Sequence, residues 1–254
     1  LRELEILVLD EADTLLDMGF RQEVSTILSL VPKQRRTGLF SATQTKEVKE
    51  LARAGMRNPV TVAVKVQSES GPARKETQQV TPSTLDNRYT VCKYEERPGL
   101  LVQFLNEHRD EKIIVFVATC ACVDFYSHMF LQMARRTLLQ KDPPSDLPAL
   151  LPESASVYGL HGKMVPKKRN GIYRKFVDRP SGVLFCTDVA ARGIDIDQLP
   201  AVINFDLPMV AEDYVHRIGR TGRNGSTGHA ISLVCHEEVG QLRDIHRLLG
   251  REIP

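Results

Sequence analysis

Apolar and polar positions along the chain follow two periods, one typical of buried strands and the other of helices. The run at residues 4–9 is almost continuously apolar and ends at Asp10, as do strands that are buried on both faces of a parallel sheet. Residues 17–30 instead carry apolar side chains three and four positions apart, which indicates a helix. Because the two patterns alternate, the sequence predicts α/β architecture with parallel strands.

The same reading gives the boundaries of the other elements. The predicted strands cover residues 4–9, 37–40, 60–66, 88–92, 112–117, 156–160, 182–186, 201–205 and 229–234. The predicted helices cover residues 17–30, 46–55, 97–108, 120–131, 167–177, 211–218 and 237–249.

Two segments interrupt this alternation. Residues 67–87 are rich in Ser, Gly, Pro, Thr and charged side chains, which is typical of a linker. Residues 135–154 contain four prolines and are predicted to be a surface insertion. The sequence therefore predicts two domains, residues 1–66 and 88–254, joined by the linker.

Composition narrows the class of protein only a little. The chain has 254 residues, of which 42% are hydrophobic and 26% charged, which is ordinary for globular domains. The net charge of +2 does not by itself indicate a nucleic-acid partner. Five cysteines without zinc-site spacing favour reduced thiols over disulfides or a metal site. No apolar run approaches the roughly 20 residues of a membrane span, so we expect no membrane partner.

Three carboxylates lie at the end of the first predicted strand: Asp10, Glu11 and Asp13. Open α/β sheets bind their ligands at the carboxyl ends of parallel strands. There, Asp10 can hold Mg²⁺ through water, and Glu11 can orient or deprotonate the water that attacks a phosphate. The alternative is that the acidic residues only cap a helix.

Two further groups of residues are candidates for the same chemistry. The small hydroxyls of Ser41 and Thr43 follow the strand at 37–40 and can bridge the acidic group to another domain, or simply cap a helix. Residues 216–223 combine a histidine, three arginines and two glycines. Arginine suits a triphosphate that is bound across a cleft, whereas the alternative is an ordinary solvated surface.

In order and spacing, four runs of residues resemble motifs II, III, V and VI of the DEAD-box RNA helicases: 10–13, 41–43, 186–195 and 216–223. Residues 114–119 resemble motif IV. Residues 160–164, together with Arg169, resemble the RNA-gripping motif between motifs IV and V. The resemblance extends over the chain apart from the linker and the insertion.

The resemblance implies two RecA-like parallel-sheet domains, the first incomplete at its N-terminus, and an ATP-dependent RNA helicase as the function. Catalytic roles fall to Asp10 and Glu11, as the metal and water carboxylates, and Asp10 would be the ligand of Mg²⁺. Arg220 and Arg223 would be arginine fingers on the γ-phosphate of ATP, and Asp195 would contact the ribose.

The family pattern also assigns the remaining motif residues. Coupling between the domains would involve Asp13, Ser41, Thr43 and His216. The sugar-phosphate backbone of single-stranded RNA would be held by Gly162, Arg169, Thr187 and Gly193. Contacts of this kind give affinity without sequence specificity.

The sequence departs from the family in two respects. Pro166 stands where the family usually has Gln, three residues before Arg169. The chain begins with Leu1, and the phosphate-binding loop of the family lies upstream of that residue, so we expect a fragment that hydrolyses no ATP by itself.

Two other functions are also consistent with the sequence. One is an RNA-binding module without ATPase activity, which ATP turnover with and without RNA would distinguish. The other is a DNA translocase of the same superfamily, although the two motifs at 10–13 and 216–223 favour RNA.

Different regions of the sequence resemble two different subfamilies of these helicases. Residues 37–45 and 119–123 resemble the nucleolar helicases of large-subunit ribosome assembly, which implies rRNA processing, pre-ribosomal particles as partners and a nucleolar location. Residues 199–234 and 242–254 instead resemble bacterial-type RNA helicases, which would imply a location in the cytoplasm.

Overall fold

The computed structural model describes residues 2–17, 19–42, 45–62, 84–139, 156–191, 199–222 and 226–254. Contacts within the chain divide it into two compact units, Leu1–Gln78 and Gln79–Pro254. The linker predicted at 67–87 lies outside the described residues except at its end. In the described part of the chain, no helix combines the length and the apolar character that crossing a membrane requires.

Unit 1 pairs two parallel strands and covers them with short helices. Its elements are β1 (Ile6–Leu9), α1 (Ala12–Asp17), α2 (Arg21–Leu30), β2 (Arg36–Leu39) and α3 (Lys46–Gly55). The strands pair in register, with Leu9 opposite Leu39. Ala12, Val24 and Leu51 form the small buried core between the helices. The hydroxyl of Thr45 caps α3 by accepting the N–H of Val48 at 3.3 Å.

Two predictions for unit 1 were wrong in part. The helix predicted at 17–30 is α2, which begins only at Arg21, because Gly19 adopts φ +83 and turns the chain between α2 and a separate helix, α1, that was not predicted. The strand predicted at 60–66 is absent from residues 60–62, and its remainder lies outside the described residues.

Unit 2 is a six-stranded parallel sheet with the strand order β3-β8-β7-β4-β6-β5. The strands are β3 (Leu85–Val91), β4 (Lys112–Phe116), β5 (Val157–Leu160), β6 (Gly182–Cys186), β7 (Ala201–Asn204) and β8 (Gly228–Val234). The helices are α4 (Arg97–Glu107), α5 (Cys120–Leu139), α6 (Pro166–Val177), α7 (Asp188–Ala191), α8 (Ala211–Ile218) and α9 (Val239–Leu249). Single 3₁₀ turns at Tyr94–Glu96 and His236–Glu238 precede α4 and α9.

The sheet of unit 2 is buried on both faces. Along β4, Ile113 and Val115 contribute to one apolar cluster, whereas Ile114 and Phe116 contribute to the cluster on the opposite face. Successive side chains of a strand point to opposite faces, so a strand covered on both sides must be apolar throughout. This explains the continuous apolar runs in the sequence, and the prediction of parallel α/β architecture is confirmed.

Unit 2 also departs from the predicted boundaries. β3 begins at Leu85, inside the predicted linker, although Asp86 and Asn87 are polar. Asn87 is nevertheless buried, because its side-chain oxygen accepts a hydrogen bond from the hydroxyl of Tyr214 at 2.7 Å. α5 extends to Leu139, beyond the predicted end at 131 and into the predicted insertion, whose residues 140–154 lie outside the described residues.

Gly228, at the start of β8, leaves no room for a side chain. A Cβ atom at this position would lie 2.3 Å from the backbone N of Gly222 and 2.3 Å from Oγ1 of Thr221. We expect Gly228→Ala to displace the adjacent loop and to lower the free energy of unfolding, measured in urea, by about 1–3 kcal/mol. Gly171→Ala in α6 is the control, because nothing lies within 4 Å of its added Cβ. Equal stability of the two variants would contradict this explanation.

Candidate functional site

The candidate residues of unit 1 lie at the carboxyl ends of β1 and β2. Two backbone hydrogen bonds hold the following loops together: the N–H of Phe40 donates to the carbonyl of Leu9 at 2.8 Å, and the N–H of Ala12 donates to that of Phe40 at 3.0 Å. Asp10 and Ser41, each one residue beyond these contacts, therefore occupy the same edge of the sheet. Thr43 lies outside the described residues.

Glu11 has a backbone conformation that few residues other than glycine adopt. Its φ is 48°, in the left-handed region, which costs about 1–2 kcal/mol for an L-amino acid. The conformation turns the chain from β1 into α1, which begins at the fully buried Ala12. The N–H of Glu11 donates to Oδ1 of Asp10 at 2.9 Å and so orients that carboxylate. Strained residues of this kind are concentrated at functional sites.

The three carboxylates differ in their exposure to solvent. Asp10 is exposed, Glu11 is half-buried, and Asp13 is only 2% exposed and accepts the N–H of Thr14 at 3.0 Å. In the described residues no group of three His, Cys, Asp or Glu side chains could hold a metal ion. One exposed carboxylate nevertheless fits Mg²⁺, which keeps several waters and binds to one or two carboxylates together with phosphates of a substrate.

In unit 2, all three guanidinium nitrogens of Arg217, in the motif at 216–223, have hydrogen-bond partners. It is 2% exposed and forms a two-pronged ion pair with Asp188, with Nε donating to Oδ1 at 2.5 Å and Nη2 donating to Oδ2 at 2.8 Å. Nη1 donates to Oδ1 of Asn204 at 3.2 Å and to the carbonyl of Asp206 at 2.7 Å. The guanidinium also lies 4.9 Å from the ring centre of Phe116. Arg217 is therefore committed to contacts within the unit.

Arg220 lies close to this ion pair. Its side chain is largely buried, and its Nε donates to the carbonyl of His216 at 3.2 Å. A small pocket opens beside the two arginines and is lined by Phe116, Asp188, Ala191, Asp213, His216, Arg217 and Arg220. Two of the predicted motif residues, His216 and Arg220, thus share one pocket, whereas Arg223 lies outside the described residues.

Thr187 connects β6 to the short helix that carries Asp188. It directly follows β6, is buried, and its carbonyl accepts the N–H groups of Ala190 and Ala191 at 3.0 and 3.1 Å. These bonds form the short helix α7, which carries the Asp188 partner of Arg217. Two further residues of this motif, Gly193 and Asp195, lie outside the described residues.

Gly162 and Arg169 occupy the neighbouring strand end. β5 pairs with β6 so that Leu160 lies opposite Cys186, which brings Gly162 close to the α7 segment. A Cβ atom on Gly162 would lie 3.4 Å from Cγ1 of Val189, an ordinary van der Waals distance, so Val189 lies beside the glycine. Arg169 is half-buried in the first turns of α6.

Pro166 is the first residue of α6. Proline is well tolerated at this position, because its missing N–H would have no partner within the helix. The departure from the family pattern at this residue thus has a local structural explanation.

Sequence reasoning missed the polar contacts that hold these loops. Oδ1 of Asp206 accepts a hydrogen bond from Arg97 at 2.9 Å, and Oδ2 accepts the N–H of Ala118 at 2.8 Å. Arg97 also pairs with Glu238, whose carboxylate accepts the N–H of Leu207 at 3.2 Å. The sequence feature that could have indicated these contacts is Asp206, a charged residue at the end of an apolar run.

The cysteine near the site is not a candidate nucleophile. Cys186, at the end of β6, is fully buried, and burial raises the pKa of its thiol far above the usual value. The thiolate is the reactive form, so this residue acts as a small apolar side chain.

Family models match both units of the chain. The model described as DEAD/DEAH box helicase matches residues 1–51, and the model described as helicase conserved C-terminal domain matches residues 96–225. The chain belongs to the DEAD-box helicases. This result confirms the resemblance in the four motifs.

Curated relatives of this helicase chain cover most of its length. ATP-dependent RNA helicase DDX55 of Bos taurus is 50% identical over 230 residues, which are 91% of this chain and 34% of the relative. DEAD-box ATP-dependent RNA helicase 18 of Arabidopsis thaliana is 44% identical over 237 residues, or 93% of this chain and 37% of the relative. The chain thus spans about a third of the length of the curated relatives it matches.

Solved structures of helicases have the same fold. S. cerevisiae Dbp5 bound to RNA and ADP BeF3 matches with a TM-score of 0.77 and 29% identity, over 98% of this chain and 58% of the other. Mss116p bound to ssRNA and AMP-PNP matches with a TM-score of 0.71 and 26% identity, over 100% of this chain and 48% of the other.

Removal of one partner from the ion pair of Arg217 and Asp188 should strongly destabilise unit 2. We expect Asp188→Asn to lower the free energy of unfolding by about 3 kcal/mol, because it leaves a buried guanidinium without its counter-charge. The exposed pair of Arg247 and Asp244 provides the control, since Asp244→Asn should change stability by less than about 1 kcal/mol. Urea denaturation of both variants measures the difference, and equal losses of stability would exclude a special role for the buried pair.

Proposed function

We propose that the protein is an ATP-dependent RNA helicase that unwinds short RNA duplexes or remodels RNA–protein complexes. The observation that carries this proposal is the position of the motif residues at carboxyl ends of parallel strands. Asp10 and Glu11 follow β1 in unit 1, whereas Thr187 follows β6 in unit 2, next to the Arg217 pocket. The names of the curated relatives support the same activity.

For ATP hydrolysis, the proposal assigns different tasks to the residues of the two units. Asp10 would hold Mg²⁺, which neutralises charge on the phosphates. Glu11, fixed by its unusual backbone conformation, orients the attacking water. Arg220 and Arg223 stabilise negative charge on the γ-phosphate, and Asp195 binds the ribose.

RNA binding would use the strand ends at β5 and β6. Gly162 permits close approach of the RNA backbone. Arg169 and Thr187 supply hydrogen-bond donors to the phosphates, and Gly193 also contacts the sugar-phosphate backbone. The curated relatives are named RNA helicases, and two solved neighbours hold RNA or ssRNA. Contacts restricted to sugar and phosphate would make the helicase indifferent to sequence.

Coupling between ATP hydrolysis and RNA binding would depend on closure of the two domains. We propose that these domains comprise residues 1–66 and 88–254 and are joined through the linker 67–87. Asp13, Ser41, Thr43 and His216 would form the contacts made on closure. Within unit 2, Thr187 and Asp188 are consecutive residues, so RNA bound at the first acts directly on the Arg217 pocket formed with the second.

The cellular role we propose is in ribosome biogenesis, with pre-ribosomal particles as partners in the nucleolus. It rests on the resemblance of residues 37–45 and 119–123 to the nucleolar members of the family. Co-sedimentation of the tagged complete protein with ribosomal precursors tests this role. By complete protein we mean the chain together with any residues encoded before and after it. Uniform distribution in the cytoplasm, without ribosomal precursors, would support the bacterial-type interpretation.

Glu11→Gln in the complete protein tests the hydrolytic step. The variant should bind ATP and Mg²⁺, because Asp10 is retained, but RNA-stimulated phosphate release should fall to background. RNA should consequently stay bound as long as ATP is present. Glu23→Gln, on the exposed surface of α2, is the control and should behave like the unchanged protein. If the unchanged protein binds RNA but shows no turnover, the chain belongs to an RNA-binding module instead.

Arg220 and Arg223 should affect the rate rather than ATP binding. We expect Arg220→Ala or Arg223→Ala to lower kcat by on the order of 10³-fold or more, as arginine fingers do in other nucleotide hydrolases. ATP affinity should change little, because Asp10 and Glu11 lie in the other unit. Lysine at either position should restore little of the rate, since it lacks the planar, forked guanidinium group of arginine. Arg243→Ala, on an exposed surface of α9, is the control, and near-normal turnover in both test variants would remove the mechanism.

A further inference from the structure

The segment that contains α6 is much richer in positive charge than the sequence as a whole. Residues 163–179 contain seven Lys or Arg residues and one acidic residue, whereas the chain as a whole has 34 basic and 32 acidic residues. Four of these side chains lie on the solvent side of the helix and define what we call the α6 basic face: Lys167, Lys168, Arg174 and Lys175.

The α6 basic face has a regular geometry. Lys167 and Arg174 are seven residues apart, as are Lys168 and Lys175, so each pair forms a row about 10 Å long on one side of the helix. Gly171 lies between the two rows, and nothing lies within 4 Å of a Cβ atom built on it. The face is therefore a shallow track with cations on both sides and no side chain in the middle.

Packing on the opposite side fixes this track in place. Phe176 is fully buried, and Ile172, Tyr173 and Val177 contribute to the same apolar cluster. The hydroxyl of Tyr158 also donates to the carbonyl of Lys175 at 3.3 Å. The cations thus project from a rigid helix.

The charge at the N-terminal end of α6 is unfavourable unless an anion is bound. The first turn carries basic residues and no acidic one, next to the positive end of the helix dipole, whereas Arg174 and Lys175 in the last turn lie at its negative end, where cations are favoured. None of the ion pairs formed among the described residues includes Lys167, Lys168, Arg174 or Lys175. Repulsion among these cations is relieved by a partner that presents a row of negative charges.

We propose that the α6 basic face binds the phosphodiester backbone of RNA, at a contact separate from the one proposed at Gly162 and Arg169. Successive helical residues are about 100° apart, so Arg169 points about 160° away from Gly171 and the two contacts lie on different sides of α6. A phosphate row fits between two rows of cations, with Gly171 allowing the backbone close to the helix. The inference rests on the proposed RNA-binding function and extends it to a second, sequence-independent contact.

Gly171→Glu tests the proposal without removing any contact of the fold. It places a negative charge in the middle of the track, at a position where a side chain meets no neighbour. Glutamate and glutamine favour helix formation over glycine, so the fold should be retained. In the complete protein, we expect Gly171→Glu to weaken binding of polyuridylate RNA about fivefold relative to Gly171→Gln, because like charges a few Å apart repel even in water.

The matched control is Gly240→Glu against Gly240→Gln in α9, where an added Cβ also meets nothing within 4 Å. This pair should show no difference in RNA affinity. Equal affinities of the Gly171 pair would overturn the proposal and leave the face available to an acidic protein instead. Failure of the unchanged protein to bind RNA would contradict the proposed function itself, which separates the two failures.

The salt dependence of binding provides an independent measurement. Replacing Arg174 and Lys175 together by Gln should reduce the slope of log affinity against log salt by about 0.7 for each phosphate that these two cations neutralise. Arg109 and Arg243, exposed elsewhere in unit 2, form the control pair and should leave the slope unchanged when replaced by Gln. An unchanged slope in the Arg174 and Lys175 variant would also overturn the proposal.

Discussion

The buried ion pair of Arg217 and Asp188 is the interaction on which the functional loops of unit 2 depend. Burying an isolated guanidinium would cost several kcal/mol even after the protein relaxes, so the charge must be matched on every side. Asp188 supplies the counter-charge in a two-pronged contact, and Asn204 and the carbonyl of Asp206 accept the remaining donors. These partners follow or end β6 and β7, which lie on either side of β4 in the sheet, so one side chain connects loops from two strands that do not pair with each other.

This polar arrangement continues through the unit. Asn204 donates to the hydroxyl of Ser232 at 3.1 Å, and Ser232 lies 3.4 Å from the hydroxyl of Tyr214, which donates to Asn87 in β3. Each member is buried and makes at least one of these hydrogen bonds, although Nδ2 of Asn87 has no partner among the described residues. Buried hydrogen bonds of this kind rigidify a core and define which groups lie next to each other. The network therefore ties the strand beside the predicted linker to the motif at 216–223.

The sequence predicted the elements where a single physical cause determined the pattern. β6 and α3 occur with the predicted boundaries, because the strand is buried on both faces and the helix has a cap at Thr45 and a break after Gly55. α1 was missed because its start depends on the backbone of Glu11, whose positive φ no residue pattern indicates. β3 was placed too late because the burial of Asn87 requires Tyr214, 127 positions away. Motif spacing identified the candidate residues, whereas the hydrogen-bond partners of Arg217 come from the ends of β6 and β7, which only the fold brings together.

Consecutive residues after β6 contact different parts of unit 2. Thr187 directly follows the strand, Asp188 binds Arg217, and Val189 lies beside Gly162. A shift of this segment by a fraction of an ångström would change both the approach to Gly162 and the geometry of the ion pair, because close-packed interiors do not absorb such shifts locally. Arg220 lies three residues after Arg217 and lines the same pocket. Under the proposed function, coupling between RNA at Gly162 and nucleotide at Arg220 would require no long pathway, because these loops share one buried charge.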